Sequence, residues 1–268
     1  MSDCNGSCEG CGSADNCGGP ESLKAAVNPN SKIRQVIGVV SGKGGVGKSL
    51  VTGLLANAIR KTGREAAIMD ADITGPSIPK MFGLHDRAAA SDLGLNPVES
   101  ESGIKIMSLN LLVENDTDPV IWRGPVIAGV VKQFWTDVVW GEVDTMMVDM
   151  PPGTGDVPLT VFQSLPLSGI VIVTSPQDLV SMVVTKAINM AKTMNVPVLG
   201  IVENYSYYKC PDCGSEHRLY GPGVQQIEGI PVLDRIPIDP DIATLCDAGE
   251  IEQVAENYLP NTLEKLGF

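Results

Sequence analysis

Residues 34–63, RQVIGVVSGKGGVGKSLVTGLLANAIRKTG, restrict this chain more than any other stretch. RQVIGVVS reads as a strand buried on both faces. A glycine loop follows, and KSLVTGLLANAIRKTG then opens as a helix. The loop SGKGGVGKS, residues 41–49, satisfies G-x-x-x-x-G-K-S/T through Gly42, Gly47, Lys48 and Ser49. Glycines let successive backbone N–H groups turn inward around phosphate oxygens. The helix that starts at the loop adds the partial positive charge of its N-terminus. Gly42, Gly44, Gly45, Val46, Gly47, Lys48, Ser49 and Leu50 are therefore the candidate phosphate cradle. Lys48 is expected to reach the outer phosphates, and the Ser49 hydroxyl is expected to ligate Mg²⁺.

The remaining chain fits the same architecture. REAAIMDAD, GIKIMSLN, VDTMMVDM, GIVIVTS, VPVLGIVEN and PVLDRIPI read as strands, most of them near-continuous apolar runs. Between them lie helical patterns. Residues 124–140 place Ile127, Val130, Val131, Phe134 and Val138 on one helix face, and Pro125 suits a first turn. DVPLTVFQSL, QDLVSMVVTKAINMAKTMN and the segment holding Cys246 also read as helices. Buried strands alternating with helices predict an α/β fold, with a mainly parallel sheet covered by helices on both faces. Residues 1–30 differ: they are rich in Gly, Ser, Asn and Cys and offer little to bury. The chain thus divides into a flexible Cys-rich leader, 1–30, and a nucleotide-binding domain, 31–268.

Three carboxylates follow apolar strands. Asp70 and Asp72 stand in MDADITGPSIP, and Asp149 stands in MMVDMPPGTGD. A strand-end Asp in such a chain suits Mg²⁺ held through water. PPGTGD after Asp149 suits a loop that responds to the terminal phosphate.

The cysteines form two groups. Cys210 and Cys213 make a CxxC pair in YYKCPDCGSEHR, and Cys4, Cys8, Cys11 and Cys17 lie in the leader. The N-terminus has neither a basic start nor an apolar stretch, so a secretion signal is not expected. Metal or cluster binding is then favoured over disulfides. Tetrahedral zinc and iron–sulfur sites need four ligands, and the CxxC pair offers two. The formal net charge of −13 argues against nucleic acid as a partner. The apolar runs are too short to cross a bilayer. A cytoplasmic protein is expected.

Lys43, a second lysine early in the loop, makes the motif resemble the deviant Walker A group of P-loop ATPases. That group includes MinD, ParA, the nitrogenase iron protein and the arsenic-pump ATPases. The resemblance implies a face-to-face homodimer in which Lys43 contacts the partner's nucleotide. It implies that the aspartate matching Asp72 orients or activates the attacking water, with Asp70 beside it on the Mg²⁺ side. VENYS and IPIDP resemble the segments flanking adenine, which implies that Asn204 bonds the base and Pro237 packs beside it. No N-K-x-D guanine signature is present, so ATP is favoured over GTP. DMPPGTGD, CPDCG and the deviant loop together resemble the Mrp/Nbp35 family (ApbC in bacteria) of ATPases that hold and transfer iron–sulfur clusters. This resemblance runs from about residue 32 to the end. It implies that Cys210 and Cys213 of two subunits bridge one labile [4Fe–4S] cluster for delivery to apo-proteins. Cys8, Cys11 and Cys17 match the spacing of an N-terminal cluster motif in eukaryotic-type members. The first cysteine of that motif lies further upstream than Cys4 does here.

Two other readings stay open from sequence. One is a MinD/ParA-like positioning ATPase with structural zinc at the CxxC pair. The other is a nitrogenase-iron-protein-like reductase, though its cluster ligands do not form a CxxC.

Overall fold

The structure, a computed structural model, describes residues 24–73, 75, 77–113, 124–176, 182–221 and 223–268. The first strands are β1 (Lys32–Ser41), β2 (Ala66–Asp70), β3 (Ala90–Ser91), β4 (Gly94–Leu95), β5 (Val98–Glu99) and β6 (Lys105–Met107). Then come β7 (Glu142–Asp149), β8 (Gly169–Thr174), β9 (Val198–Glu203), β10 (Tyr208–Lys209), β11 (Glu216–His217), β12 (Gln226–Ile227) and β13 (Ile230–Arg235). The helices are α1 (Lys48–Lys61), α2 (Ile78–Met81), α3 (Gly124–Thr136), α4 (Asp156–Ser164), α5 (Met182–Thr193), α6 (Pro240–Ala248) and α7 (Pro260–Leu266).

Nine strands form one sheet in the order β12-β13-β9-β8-β1-β7-β2-β6-β5. From β13 to β6 every pairing is parallel, while β5 and β12 pair antiparallel at the two edges. This is the expected α/β architecture. Side chains alternate across the central strands with the period of two that a pleated strand imposes. On one face lie Val36 and Val40 of β1, Met146 and Val148 of β7, and Ile170 and Ile172 of β8. They pack with Phe134 of α3, Phe162 of α4 and Ile188 of α5. On the other face Ile37, Val39, Met147, Val171 and Val173 pack with Leu55 of α1, Ile242 of α6 and Leu263 of α7. Both faces being covered explains why these strands read as unbroken apolar runs.

Some expected elements are shorter in the structure. Helix α3 stops at Thr136, because residues 137–139 pair with Leu95 instead: Leu95 N donates to Asp137 O at 2.9 Å and Val139 N to Leu95 O at 2.8 Å. GIKIMSLN is a regular strand only over β6, and a single 3₁₀ turn, Leu109–Leu111, follows. Residues 24–30 lie against the domain. The Lys24 ammonium donates to Phe162 O at 2.8 Å and to Leu165 O at 2.5 Å, the final carbonyls of α4. Trp135 Nε1 donates to Ala25 O at 2.9 Å. Carbonyls at the C-terminal end of a helix are a natural seat for an ammonium group. Among the described residues no helix is long and apolar enough to cross a membrane.

Candidate functional site

A parallel sheet directs its loops to the carboxyl ends of its strands, where open α/β sheets bind ligands. Strand β1 ends at Ser41 and delivers the glycine loop, and α1 starts at Lys48. Gly45 and Gly47 both hold φ +82, the left-handed region that a side chain makes costly. At Gly47 a Cβ would also collide with the Asn204 side-chain amide. Ser41 Oγ donates to Lys43 O at 3.0 Å and so fixes the loop's entry.

Lys48 is 6% exposed and lies between two carboxylates. Its Nζ sits 2.7 Å from Asp149 Oδ1 and 3.4 Å from Asp72 Oδ2. Asp149, the last residue of β7, also accepts Ser49 Oγ at 2.5 Å and Thr52 Oγ1 at 2.8 Å. The structure therefore brings together Lys48, Ser49, Asp72 and Asp149, which are far apart in sequence. Thr52 was not singled out from sequence. Its signal is position, since it stands one helical turn after Lys48 and shares that face of α1. An open cavity of about 320 Å³ at this point is lined by Lys43, Gly44, Gly45, Gly47, Lys48, Ser49, Leu50, Asp72, Pro152 and Tyr205 among others. Lys43 is exposed at its edge.

Asp70 ends β2 directly beside Asp149, its register partner. It accepts Ser108 Oγ at 2.9 Å and the Asp72 N–H at 3.1 Å. Burial, reinforced by the Asp149 charge, pushes its carboxyl up to about 8. The unfolded chain releases this proton near pH 4. The folded chain then holds more protons than the unfolded chain between about pH 4 and 8, so stability falls as pH rises through that window. Asp70→Asn keeps an oxygen for the Asp72 N–H, turns an NH₂ donor toward the Ser108 hydroxyl and removes the ionisation. Thermal denaturation without nucleotide should show the variant about 2 kcal/mol more stable at pH 8 and nearly equal to the parent near pH 4. A parent whose stability is flat across the window contradicts this.

At the end of β9, Asn204 is fully buried. Its Nδ2 donates to Val46 O of the glycine loop at 3.0 Å. Oδ1 has no hydrogen-bond partner among the described residues. An acceptor left so is costly unless a ligand serves it. Tyr205 follows at φ +58, unusual for a bulky residue and typical of a functional turn. Residues 203–207 then run along 236–238: Ile236 N donates to Glu203 O at 2.9 Å, Ser206 N to Ile236 O at 2.9 Å, and Ile238 N to Tyr207 O at 2.7 Å. Pro237 lies on this seam. A second cavity, about 460 Å³, opens there and is lined in part by Tyr207, Pro237, Ile238, Asp239, Glu256 and Tyr258. Tyr258 Oη donates to Asp239 Oδ2 at 2.7 Å. Burial and that carboxylate push the phenol up.

The CxxC pair tips the β10–β11 hairpin, where Tyr208 faces His217 and Lys209 faces Glu216. Cys210 N donates to Ser215 O and Gly214 N to Cys210 O, both at 2.9 Å, which folds the chain into a knuckle. Gly214 supplies its left-handed turn at φ +72. Cys213 is exposed and Cys210 half-buried. Hydrogen bonds from Ser215, then from Cys210, hold the Cys213 thiol below its ordinary value, which favours the ligating thiolate. Ser215 Oγ lies 3.0 Å from Cys213 Sγ and 3.1 Å from His217 Nε2. Sequence reasoning missed Ser215, because a loop serine carries no mark of its partner. Among the described residues no group of three or more His, Cys, Asp or Glu side chains converges to hold a metal ion. Cys4, Cys8, Cys11 and Cys17 lie outside the described residues. Cys246 is half-buried on α6, with its thiol pushed up by burial and then by Asp247.

Proteins of known name resemble this chain over most of its length. An iron–sulfur cluster carrier protein from Clostridium perfringens is 43% identical, over 95% of this chain and 96% of its own length. One of the same name from Methanocaldococcus jannaschii is 42% identical, over 93% of this chain and 90% of its own. A nucleotide-binding protein of Archaeoglobus fulgidus, solved in complex with ADP and with cobalt found in it, is 45% identical. It superposes with a TM-score of 0.76, over 84% of this chain and 90% of that one. MinD of Aquifex aeolicus, in its complex with MinC, shares the fold at 19% identity and a TM-score of 0.62, over 87% of this chain and 95% of that one. A family model describing the NUBPL iron-transfer P-loop NTPases of the ParA group matches residues 32–266. The chain belongs to that family, whose curated relatives are iron–sulfur cluster carrier proteins.

Proposed function

We propose that this protein binds and hydrolyses ATP and couples that cycle to loading a [4Fe–4S] cluster and passing it to apo-proteins. The observation that carries the reading is one fold edge with two features: the Lys48–Asp149–Asp72 constellation and, on the hairpin after β9, a pair of cysteines of which the exposed one, Cys213, has its thiol held down. Two thiolates are half of a Cys₄ set. A second copy of the chain supplies the other half, giving one cluster shared by a homodimer.

On the nucleotide side, Lys48 exchanges its carboxylate partners for the β- and γ-phosphate oxygens, and the loop N–H groups hold the same oxygens. Ser49 and Asp149 suit Mg²⁺ in chemistry and placement: a hydroxyl as direct ligand and a carboxylate behind it. The ion neutralises phosphate charge when bound. Asp72 orients the attacking water, and Lys43 reaches the partner's nucleotide. The unpaired Asn204 Oδ1 suits the exocyclic amino group of adenine, with Pro237 packing on the ring. Guanine has an acceptor at that position, so ATP is favoured. Cys4, Cys8, Cys11 and Cys17 are proposed as a second cluster site, and the cytoplasm as the compartment.

The test is anaerobic reconstitution of a variant in which the four leader cysteines are alanine. Iron, sulfide and zinc are then measured with the absorption spectrum and the molecular mass. The expected result is one [4Fe–4S] cluster per two chains and its transfer to an apo iron–sulfur protein. Zinc alone at the hairpin, with no cluster taken up, would return the hairpin to a structural role.

A further inference from the structure

The 460 Å³ cavity at Pro237 has two walls of different origin. One carries Pro237, proposed above to pack beside the base, together with Asp239 and Tyr258. The other is the metal hairpin itself: Tyr208, Cys210 and Pro211. The walls are stitched together, since Ile238 N donates to Tyr207 O at 2.7 Å and Tyr208 bridges Ile238. The lining around the phosphate loop includes Pro152 and Tyr205 but neither cysteine.

We propose that the adenine base, rather than the terminal phosphate, is what the CxxC hairpin senses. A ring seated against Pro237 meets Tyr208 and Pro211, the residues that set how Cys210 is presented. A metal on Cys210 and Cys213 fixes the same wall from the other side. Each ligand orders a surface that the other needs, so each tightens the other. The linkage is reciprocal by thermodynamic necessity. It also requires no γ-phosphate, so ADP serves as well as ATP. This inference rests on the proposed function in taking the hairpin as a metal site and Pro237 as packing beside the base.

The test uses full-length protein with the four leader cysteines changed to alanine, so that added Co²⁺ reports on the hairpin through its thiolate absorption. Calorimetry measures Mg²⁺–ADP and Mg²⁺–pyrophosphate affinity with and without Co²⁺. The expected result is an ADP Kd at least about fivefold tighter with Co²⁺ and a pyrophosphate Kd unchanged within error. Tyr208→Ala, which removes part of the wall but neither thiol, should bring the ADP ratio to within about twofold of unity. An ADP affinity that Co²⁺ leaves unchanged or weakens overturns the inference. So does pyrophosphate responding as strongly as ADP, because the coupling then runs through the phosphate loop or the dimer. If the Co²⁺ spectrum survives in a Cys210→Ala/Cys213→Ala variant, the hairpin is not the metal site and the underlying functional reading fails with it. If Co²⁺ and ADP both bind at their assigned sites without affecting each other, only the linkage fails.

Discussion

Lys48→Ala abolishes nucleotide turnover, with steady-state ATP hydrolysis at least about 10³-fold below the parent. Lys48 is the single ammonium buried among Asp149, Asp72 and Ser49 in the described site. In the proposed reaction it faces the charge that develops on the transferred phosphoryl group. The nucleotide-free protein is affected as well. Asp149 is completely buried, and without Lys48 it keeps only the hydroxyls of Ser49 and Thr52. Leaving a buried carboxylate without its cation typically costs about 3–5 kcal/mol. The variant should therefore unfold at lower denaturant concentration in the absence of nucleotide. Lys48→Ala/Asp149→Asn, which removes both charges, should recover most of that stability and none of the activity. A single variant with near-parental hydrolysis would remove Lys48 from the chemistry.

On the proposed shared cluster, Cys210→Ala, made where the leader cysteines are already alanine, should drop bound iron and sulfide from about two of each per chain to background. Removing one thiolate per subunit leaves the shared site with two ligands in place of four. The fold should tolerate the change. The knuckle is held by the backbone of residue 210, whose N–H bonds Ser215 O and whose carbonyl accepts Gly214 N. Surface replacements of this kind stay within about 0.5 kcal/mol. A melting temperature close to the parent's, together with complete loss of the iron–sulfur absorption band, separates a ligand from a structural cysteine. Retention of a full cluster would place the ligands elsewhere.

The parts of this molecule legible in its sequence are those where local pattern and chemistry coincide. The glycine loop announces its left-handed turns and its helix. The apolar runs of β1, β7 and β8 announce strands covered on both faces. What stayed hidden depends on which strands are neighbours. Nothing in MDADITG reveals that Asp70 faces Asp149 across a strand pair, where burial and that charge push its carboxyl up. Thr52 and Ser108 become site residues only when α1 and β6 bring them to those carboxylates. The contact between Gly47 and Asn204 joins residues that lie on different elements, β9 and the glycine loop. Tyr205, a tyrosine in a backbone region that favours glycine, gives no warning in its one-letter code.

The sheet order has a consequence for how the chain is made. β1 leaves the ribosome long before either of its neighbours: β7 begins at Glu142 and β8 ends at Thr174. From Ser41 to Glu142 is 142 − 41 = 101 residues, roughly 5–20 s of synthesis at bacterial-to-eukaryotic speeds. Throughout that interval a strongly apolar strand has neither hydrogen-bonded edge in place. The nucleotide loop it carries stays unfinished until Asp149 and then Asn204 arrive. Cover from a chaperone is therefore of most use over β1, whose loop is completed only when strands made much later join the sheet.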